Sequence, residues 1–160
     1  MTNALTAVVR RVMPARPERV YDEWLDPDAL VEWMCPRPAF ATAISLDAKV
    51  GGAVRIDIDD LGTLMTVSGR YLELRRPERL RFTWHCTTWP PEYAESVVTV
   101  TFEPHGGEET LMTISHERLA APLVDQHHRG WLAIAAQLES ALRRGSALPG
   151  GSSKSSEPEQ

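Results

Sequence analysis

The sequence predicts an α+β fold in which one long helix covers a curved antiparallel sheet. The first observation is the segment after Pro77, where Leu80, Phe82 and Trp84 alternate with other residues and therefore share one face of a strand. The second is the run of residues 124–144, whose apolar positions recur at helical spacing and predict a helix of about five turns. Those positions are Val124, Trp131, Ile134, Leu138 and Leu142. Helices segregated from a run of strands are typical of α+β folds and not of parallel α/β folds.

The start of the chain predicts one strand and two short helices. Residues 6–13 are rich in β-branched side chains, which favours a strand. Residues 18–25 suit a helix with Pro17 in its first turn, where proline is tolerated. Asp26 is a favoured N-cap, so a second helix is predicted over residues 28–34.

The middle of the chain predicts six more strands, which makes about seven in all. Alternating apolar residues mark the strands, and glycine-rich or proline-bearing turns separate them. Because the turns are short, consecutive strands are expected to pair antiparallel. The predicted strands are residues 40–46, a strand that carries Val54, Ile56 and Ile58, and residues 63–74, 80–86, 96–102 and 110–116.

Length and composition limit the domain count and the partners. The 160 residues suit one domain, predicted over residues 1–145, followed by a disordered tail over residues 146–160 that is rich in Ser, Gly, Pro and Glu. The net charge of −5 and the lack of a long Lys/Arg run argue against binding to nucleic acid or to an anionic membrane. The sequence shows no secretory leader pattern and no apolar run that could span a bilayer, so a cytoplasmic location is expected.

No motif predicts a cofactor or a metal site. Cys35 and Cys86 lack C-x-x-C spacing, so buried free thiols are expected and not a disulfide or a zinc site. The glycine pairs lie in turns between strands, without a following helix that could hold a phosphate.

Several short segments, in this order, resemble the START and Bet v-like (SRPBCC) superfamily, and in particular its branch homologous to the activator of the heat-shock protein 90 ATPase. They span residues 16 to 131, which is most of the predicted domain. They are residues 16–22, residues 26–30 with Trp33, Asp47 with Gly51 and Gly52, residues 69–74, residues 77–84, residues 113–117, and Gly130 with Trp131. The resemblance implies the helix-grip fold, with a cavity between the sheet and the C-terminal helix that holds an apolar small molecule in related members. It does not imply one activity, because this fold serves carriers, cyclases and co-chaperones.

The residues expected to line such a cavity come from the predicted inner faces. They are Met65, Trp84, Met112, His116, His128 and Trp131. Ordinary core packing of the apolar and aromatic members is the competing interpretation. The loop over residues 89–93 carries two aromatic rings, which could cover a cavity entrance or contact a partner.

Three hypotheses for function follow. The leading one is a non-enzymatic binder of an apolar small molecule. The second is a co-chaperone-like interaction module, with a chaperone or a second copy of the chain as partner. The third is a cyclase or hydratase that uses His116 or a buried carboxylate such as Glu95 as acid or base.

Overall fold

Seven antiparallel strands form one curved sheet in the computed structural model, which describes residues 5–147 and the side chains of residues 5–145. The spatial order is β1-β7-β6-β5-β4-β3-β2, so consecutive strands from β2 to β7 are paired, and β1 pairs with β7 and not with β2. The strands are β1 (Leu5–Met13), β2 (Phe40–Leu46), β3 (Ala53–Asp60), β4 (Thr63–Arg75), β5 (Arg79–Cys86), β6 (Ser96–His105) and β7 (Glu109–Leu119). The predicted sheet is confirmed.

Three helices complete the described part of the chain: α1 (Pro17–Trp24), α2 (Pro27–Trp33) and α3 (Val124–Ala147). One 3-10 turn, Ala121–Leu123, leads into α3. The predicted cap of α2 is present, because Oδ1 of Asp26 accepts a hydrogen bond from the backbone N–H of Asp28 at 3.0 Å.

The end of α3 differs from the prediction. The predicted helix ends at residue 144, and Gly145 has the residue type favoured just beyond a helix end, whereas α3 continues through Ala147. A Cβ at position 145 would lie 2.5 Å from Nη2 of Arg19, so the glycine makes room for a side chain of α1 and does not end the helix. The first two residues of the predicted tail are therefore helical, and the remainder, residues 148–160, lies outside the described residues.

Strands β6 and β7 are each three residues longer at their C-terminal ends than the apolar alternation predicts. The β6–β7 pairing extends to His105 and Glu109 through residues that lack an apolar pattern, and Leu119 pairs with Leu5 of β1. Backbone hydrogen bonds continue the ladder where side-chain alternation no longer marks it.

The core lies between the inner face of the sheet and α3. Leu80, Phe82 and Trp84 of β5 are buried, as predicted. Four of the five apolar positions of α3 are buried against the sheet, and Val124, in the first turn, is half-buried. The helices α1 and α2 cover the core next to α3 and add Tyr21, Trp24, Leu30 and Trp33.

Candidate functional site

A cavity of about 330 Å³ lies between the first half of α3 and strands β3, β4 and β5. It forms because α3 packs against β1 and β7 on one side of the sheet and is separated from the opposite strands. The connection from α2 to β2 and the loop after β5 complete the wall. The volume is at the lower end of the about 300–1,000 Å³ that is typical of small-molecule sites.

The wall is mostly apolar and carries three indole rings. The rings of Trp84 and Trp131 have centroids 5.2 Å apart, and Trp89 packs edge-on against His127 at 5.8 Å. The polar members of the wall are Asp60, Thr88, Gln126 and His127, and none of its described residues is Lys or Arg. An apolar wall with a few polar groups is the usual composition of a ligand pocket.

Gly130 keeps part of this space open. It lies on the cavity face of α3, where a Cβ would meet only Cγ of Pro36, at an ordinary contact distance of 3.7 Å. Glycine inside a helix costs about 1 kcal/mol relative to alanine, so position 130 carries a residue that disfavours the helix although alanine would fit there. The missing side chain leaves the volume beneath α3 unfilled.

Behind the cavity wall, His116 belongs to a buried hydrogen-bonded chain. The indole N–H of Trp131 donates to Nδ1 of His116 at 3.0 Å, which places the ring's own proton on Nε2. That Nε2 lies 2.7 Å from Oγ of Ser96 and donates to it. The Ser96 hydroxyl in turn donates to the carbonyl of Trp84 at 2.8 Å. Both nitrogens of His116 are therefore occupied.

This chain gives His116 a structural role. The residue is fully buried, and burial, with a smaller contribution from neighbouring His127, lowers its pKa to about 2. A neutral imidazole with no free lone pair cannot accept a proton from a substrate without breaking the bond from Trp131. It fixes the orientation of an indole that forms part of the cavity wall.

His127 has the opposite arrangement. Its Nδ1 lies 3.0 Å from the carbonyl oxygen of Leu123 and donates to it, while burial lowers the pKa of the ring. The neutral ring therefore carries its proton on Nδ1, which leaves Nε2 as an unprotonated acceptor. Nε2 has no hydrogen-bond partner within the described part of the chain. His127 is thus the aromatic member of the wall that retains an available acceptor.

The structure brings three of the six predicted lining residues together in the wall: Met65, Trp84 and Trp131. Met112 and His116 face inward as predicted, but both are fully buried in the core and do not line the cavity. His128 is half-buried and is not part of the wall either, because it lies about 100° further round α3 than His127. That a ligand contacts any of these residues stays a prediction.

Two further wall residues, Trp89 and His127, were only partly predictable from the sequence. Trp89 belongs to the loop that the sequence pattern associates with a cavity entrance, and it does line the cavity. His127 is adjacent to His128, and the helical stripe alone does not decide between them. The bond to Leu123, in the 3-10 turn before the helix, sets the orientation of His127.

The remaining candidates for chemistry lie in other settings. Glu95 is exposed outside the cavity, 3.5 Å from Nη2 of Arg70, and is not the buried carboxylate that acid–base chemistry would need. Cys35 and Cys86 are buried free thiols in the wall, and burial raises the pKa of Cys35 to about 11. A raised pKa keeps that group a thiol and a poor nucleophile.

Residues 5–147 contain no group of three or more His, Cys, Asp or Glu side chains positioned to hold a metal ion. None of the helices described in this range combines the length and the apolar character needed to cross a membrane.

Comparisons with known proteins give matches over most of the chain. The model of the family described as activator of Hsp90 ATPase homolog 1-like protein matches residues 14–143. No curated protein matches significantly. A crystal structure of a protein from Chromobacterium violaceum is 30% identical and has a TM-score of 0.75; the match covers 85% of this chain and 96% of that one. A crystal structure from Nitrosomonas europaea shares the fold at 22% identity, covering 90% of this chain and 97% of its own, with a TM-score of 0.77. A solution structure from Arthrobacter aurescens also shares the fold, at 21% identity and with a TM-score of 0.76; the match covers 88% of this chain and 87% of that one.

Proposed function

The chain belongs to the family of activator of Hsp90 ATPase homolog 1-like proteins, and from this premise we propose that it binds an apolar small molecule in the cavity beneath α3 without transforming it. The observation that carries the proposal is the cavity of about 330 Å³ with its indole-rich wall. Apolar surface that a ligand buries there contributes about 25 cal/mol per Å² to binding before the costs of association.

The two residues that the sequence suggests for acid–base chemistry are not available in the cavity, which supports binding over catalysis. His116 is committed at both nitrogens, and Glu95 is exposed away from the cavity. His127 offers an acceptor, which suits recognition of a polar group on a ligand. A cytoplasmic location accompanies the proposal, since Cys35 and Cys86 are both free thiols, as expected in a reducing compartment.

The test is thermal unfolding with a panel of neutral apolar compounds. A compound present at about one hundred times its Kd should stabilise the protein by about 2.7 kcal/mol, which raises Tm by about 5–10 °C. Gly130→Leu should abolish the shift, because its side chain would enter the cavity. Ser140→Leu, which adds the same side chain on the exposed face of α3, should retain it.

Three results would contradict the proposal. The first is that no neutral apolar compound shifts Tm, and the second is that Gly130→Leu and Ser140→Leu respond alike. Turnover of a bound compound would contradict the non-enzymatic part alone. Gly130→Ala serves as the check on helix stability, because it should raise the free energy of unfolding by up to about 1 kcal/mol and obstruct little of the cavity.

A protein-partner role is the second candidate, and an exposed apolar row favours it. Phe40 of β2 and Leu64 of β4 both pair with Asp59 of β3, so their side chains lie on one face of the sheet. Leu64 is 73% exposed, and Leu61, at the tip of the β3–β4 turn, is 81% exposed. Since the family description names an activator of the Hsp90 ATPase, Hsp90 is the partner to test.

The experiment measures ATP hydrolysis by purified Hsp90 with and without the protein. Stimulation that is lost in the Leu61→Ser, Leu64→Ser double variant would support this role. The control is Val50→Ser, which removes an exposed apolar side chain from a different turn. An unchanged rate with wild-type protein at micromolar concentration would reject it, whatever the result of the ligand test.

A further inference from the structure

We propose that the cavity selects a neutral aromatic molecule that carries a hydrogen-bond donor, such as a phenolic hydroxyl, and that Nε2 of His127 accepts that hydrogen bond. This inference rests on the proposed binding function and specifies the class of ligand. Three features of the wall carry it: the orientation of His127, the charges of the wall and its aromatic rings.

The first feature is the fixed orientation of the imidazole. The hydrogen bond from Nδ1 to the Leu123 carbonyl fixes the ring at the start of α3. Trp89 packs edge-on against the ring at 5.8 Å, and His116 does so at 5.1 Å. Nε2, the other ring nitrogen, has no hydrogen-bond partner among the described residues, so it could accept from a ligand without the ring having to turn. A preorganised acceptor of this kind favours a ligand hydroxyl or N–H.

The second feature is the sign of the charges. The wall contains the carboxylate of Asp60, at the end of β3, and no Lys or Arg among its described residues. A ligand carboxylate or phosphate would enter an apolar cavity without a cationic partner, which is costly. It would also meet the unprotonated nitrogen of His127, which repels another acceptor. The wall therefore disfavours anions.

The third feature is the arrangement of the rings. The planes of Trp84 and Trp131 are inclined at 56°, and Trp89 forms a separate part of the wall next to His127. Flat apolar molecules make offset or edge-to-face contacts with such rings, which contribute beyond the buried area. The donor group of the ligand would then lie on the His127 side.

The experiment is isothermal titration calorimetry with three compounds that share a naphthalene body. Naphthol has a donor, methoxynaphthalene has none, and naphthoate is an anion at neutral pH. Wild-type protein should bind naphthol most tightly, methoxynaphthalene about two- to twelvefold more weakly, as expected for one hydrogen bond, and naphthoate weakest. Dissociation constants that rank in this order support the proposal.

Variants at two adjacent histidines separate the hydrogen bond from packing. His127→Phe keeps a ring in the wall and removes the acceptor, so it should weaken naphthol by about two- to twelvefold and leave methoxynaphthalene unchanged. His128→Phe, the same change outside the wall, should alter neither. His127→Gln restores an acceptor oxygen and should recover part of the preference, which guards against a misfolded His127→Phe protein.

The outcomes separate this inference from the one it rests on. Equal affinities for naphthol and methoxynaphthalene, or tightest binding of naphthoate, would overturn the inference and leave the binding function standing. An equal weakening of both neutral compounds by His127→Phe would overturn the inference in the same way. If none of the three compounds binds, this inference is overturned, whereas the binding function is overturned only if the thermal panel of neutral apolar compounds also gives no shift.

Discussion

Mild acid should destabilise the protein through His116, because only the unfolded chain can protonate that residue. In the folded state burial lowers its pKa to about 2, and in the unfolded state the pKa returns to its ordinary value of 6.5. Below pH 6.5 the unfolded state therefore binds one more proton than the folded state does. The stability is fully present above pH 6.5 and is lost as the pH falls towards the folded pKa.

The magnitude follows from the size of the shift. One pKa unit corresponds to about 1.4 kcal/mol, and this slope applies throughout the interval between the two pKa values. Between pH 7 and pH 4.5 the loss from His116 alone is about 2.6 kcal/mol. Against a typical total of about 5–15 kcal/mol, this is a large fraction.

Urea unfolding at pH 7, 5.5 and 4.5 measures the effect. His116→Gln should start less stable at pH 7, because it disrupts the bonds to Trp131 and Ser96, but it should lose about 2.6 kcal/mol less than wild type on acidification. His105→Gln is the matched control, since it removes an exposed histidine at the end of β6 and should behave as wild type. Equal losses in wild type and His116→Gln would refute the reasoning and would mean that His116 is protonated within the fold.

Three further substitutions test other parts of the structure by urea unfolding at pH 7. Trp131→Phe keeps an aromatic ring but removes the indole N–H and leaves Nδ1 of His116 unpaired, so it should cost at least about 1–3 kcal/mol; no loss would mean that water satisfies Nδ1 in place of the indole. Gly69→Ala should cost about 3 kcal/mol or more, because its Cβ would lie 1.8 Å from the carbonyl oxygen of Thr83, and a mild effect would show that β4 shifts easily. Asp26→Ala should cost about 1 kcal/mol through loss of the α2 cap, whereas Asp26→Asn should cost little.

The fold was predictable because local patterns and turns agreed along the chain. Strand β2 begins and ends where the apolar pattern places it, and the Asp26 cap marks the start of α2. The exceptions arise where long-range contacts override the local pattern. Gly145 has the sequence character of a helix end, but its place beside Arg19 of α1 depends on packing that no local window contains.

The candidate site was predictable in its elements and less so in its residues. Met65, Trp84 and Trp131 line the cavity because the inward face of a strand or a helix follows from its period. Met112 lies on an inward face too, yet it is fully buried in the core and does not line the cavity, because periodicity predicts the direction of a side chain but not where along the face a cavity opens. The roles of His116 and His127 depend on hydrogen bonds to distant or non-helical groups, which spacing alone does not encode.

The indole contacts around the cavity also make the protein its own optical reporter. Trp33 lies 5.0 Å from Trp24, which lies 6.1 Å from Trp131, which in turn lies 5.2 Å from Trp84. Excitation absorbed by any ring in this series passes readily to the next at such separations. A molecule that enters beside Trp84 or Trp131 would therefore quench or shift the emission of the whole series, and occupancy of the cavity could be followed without a label.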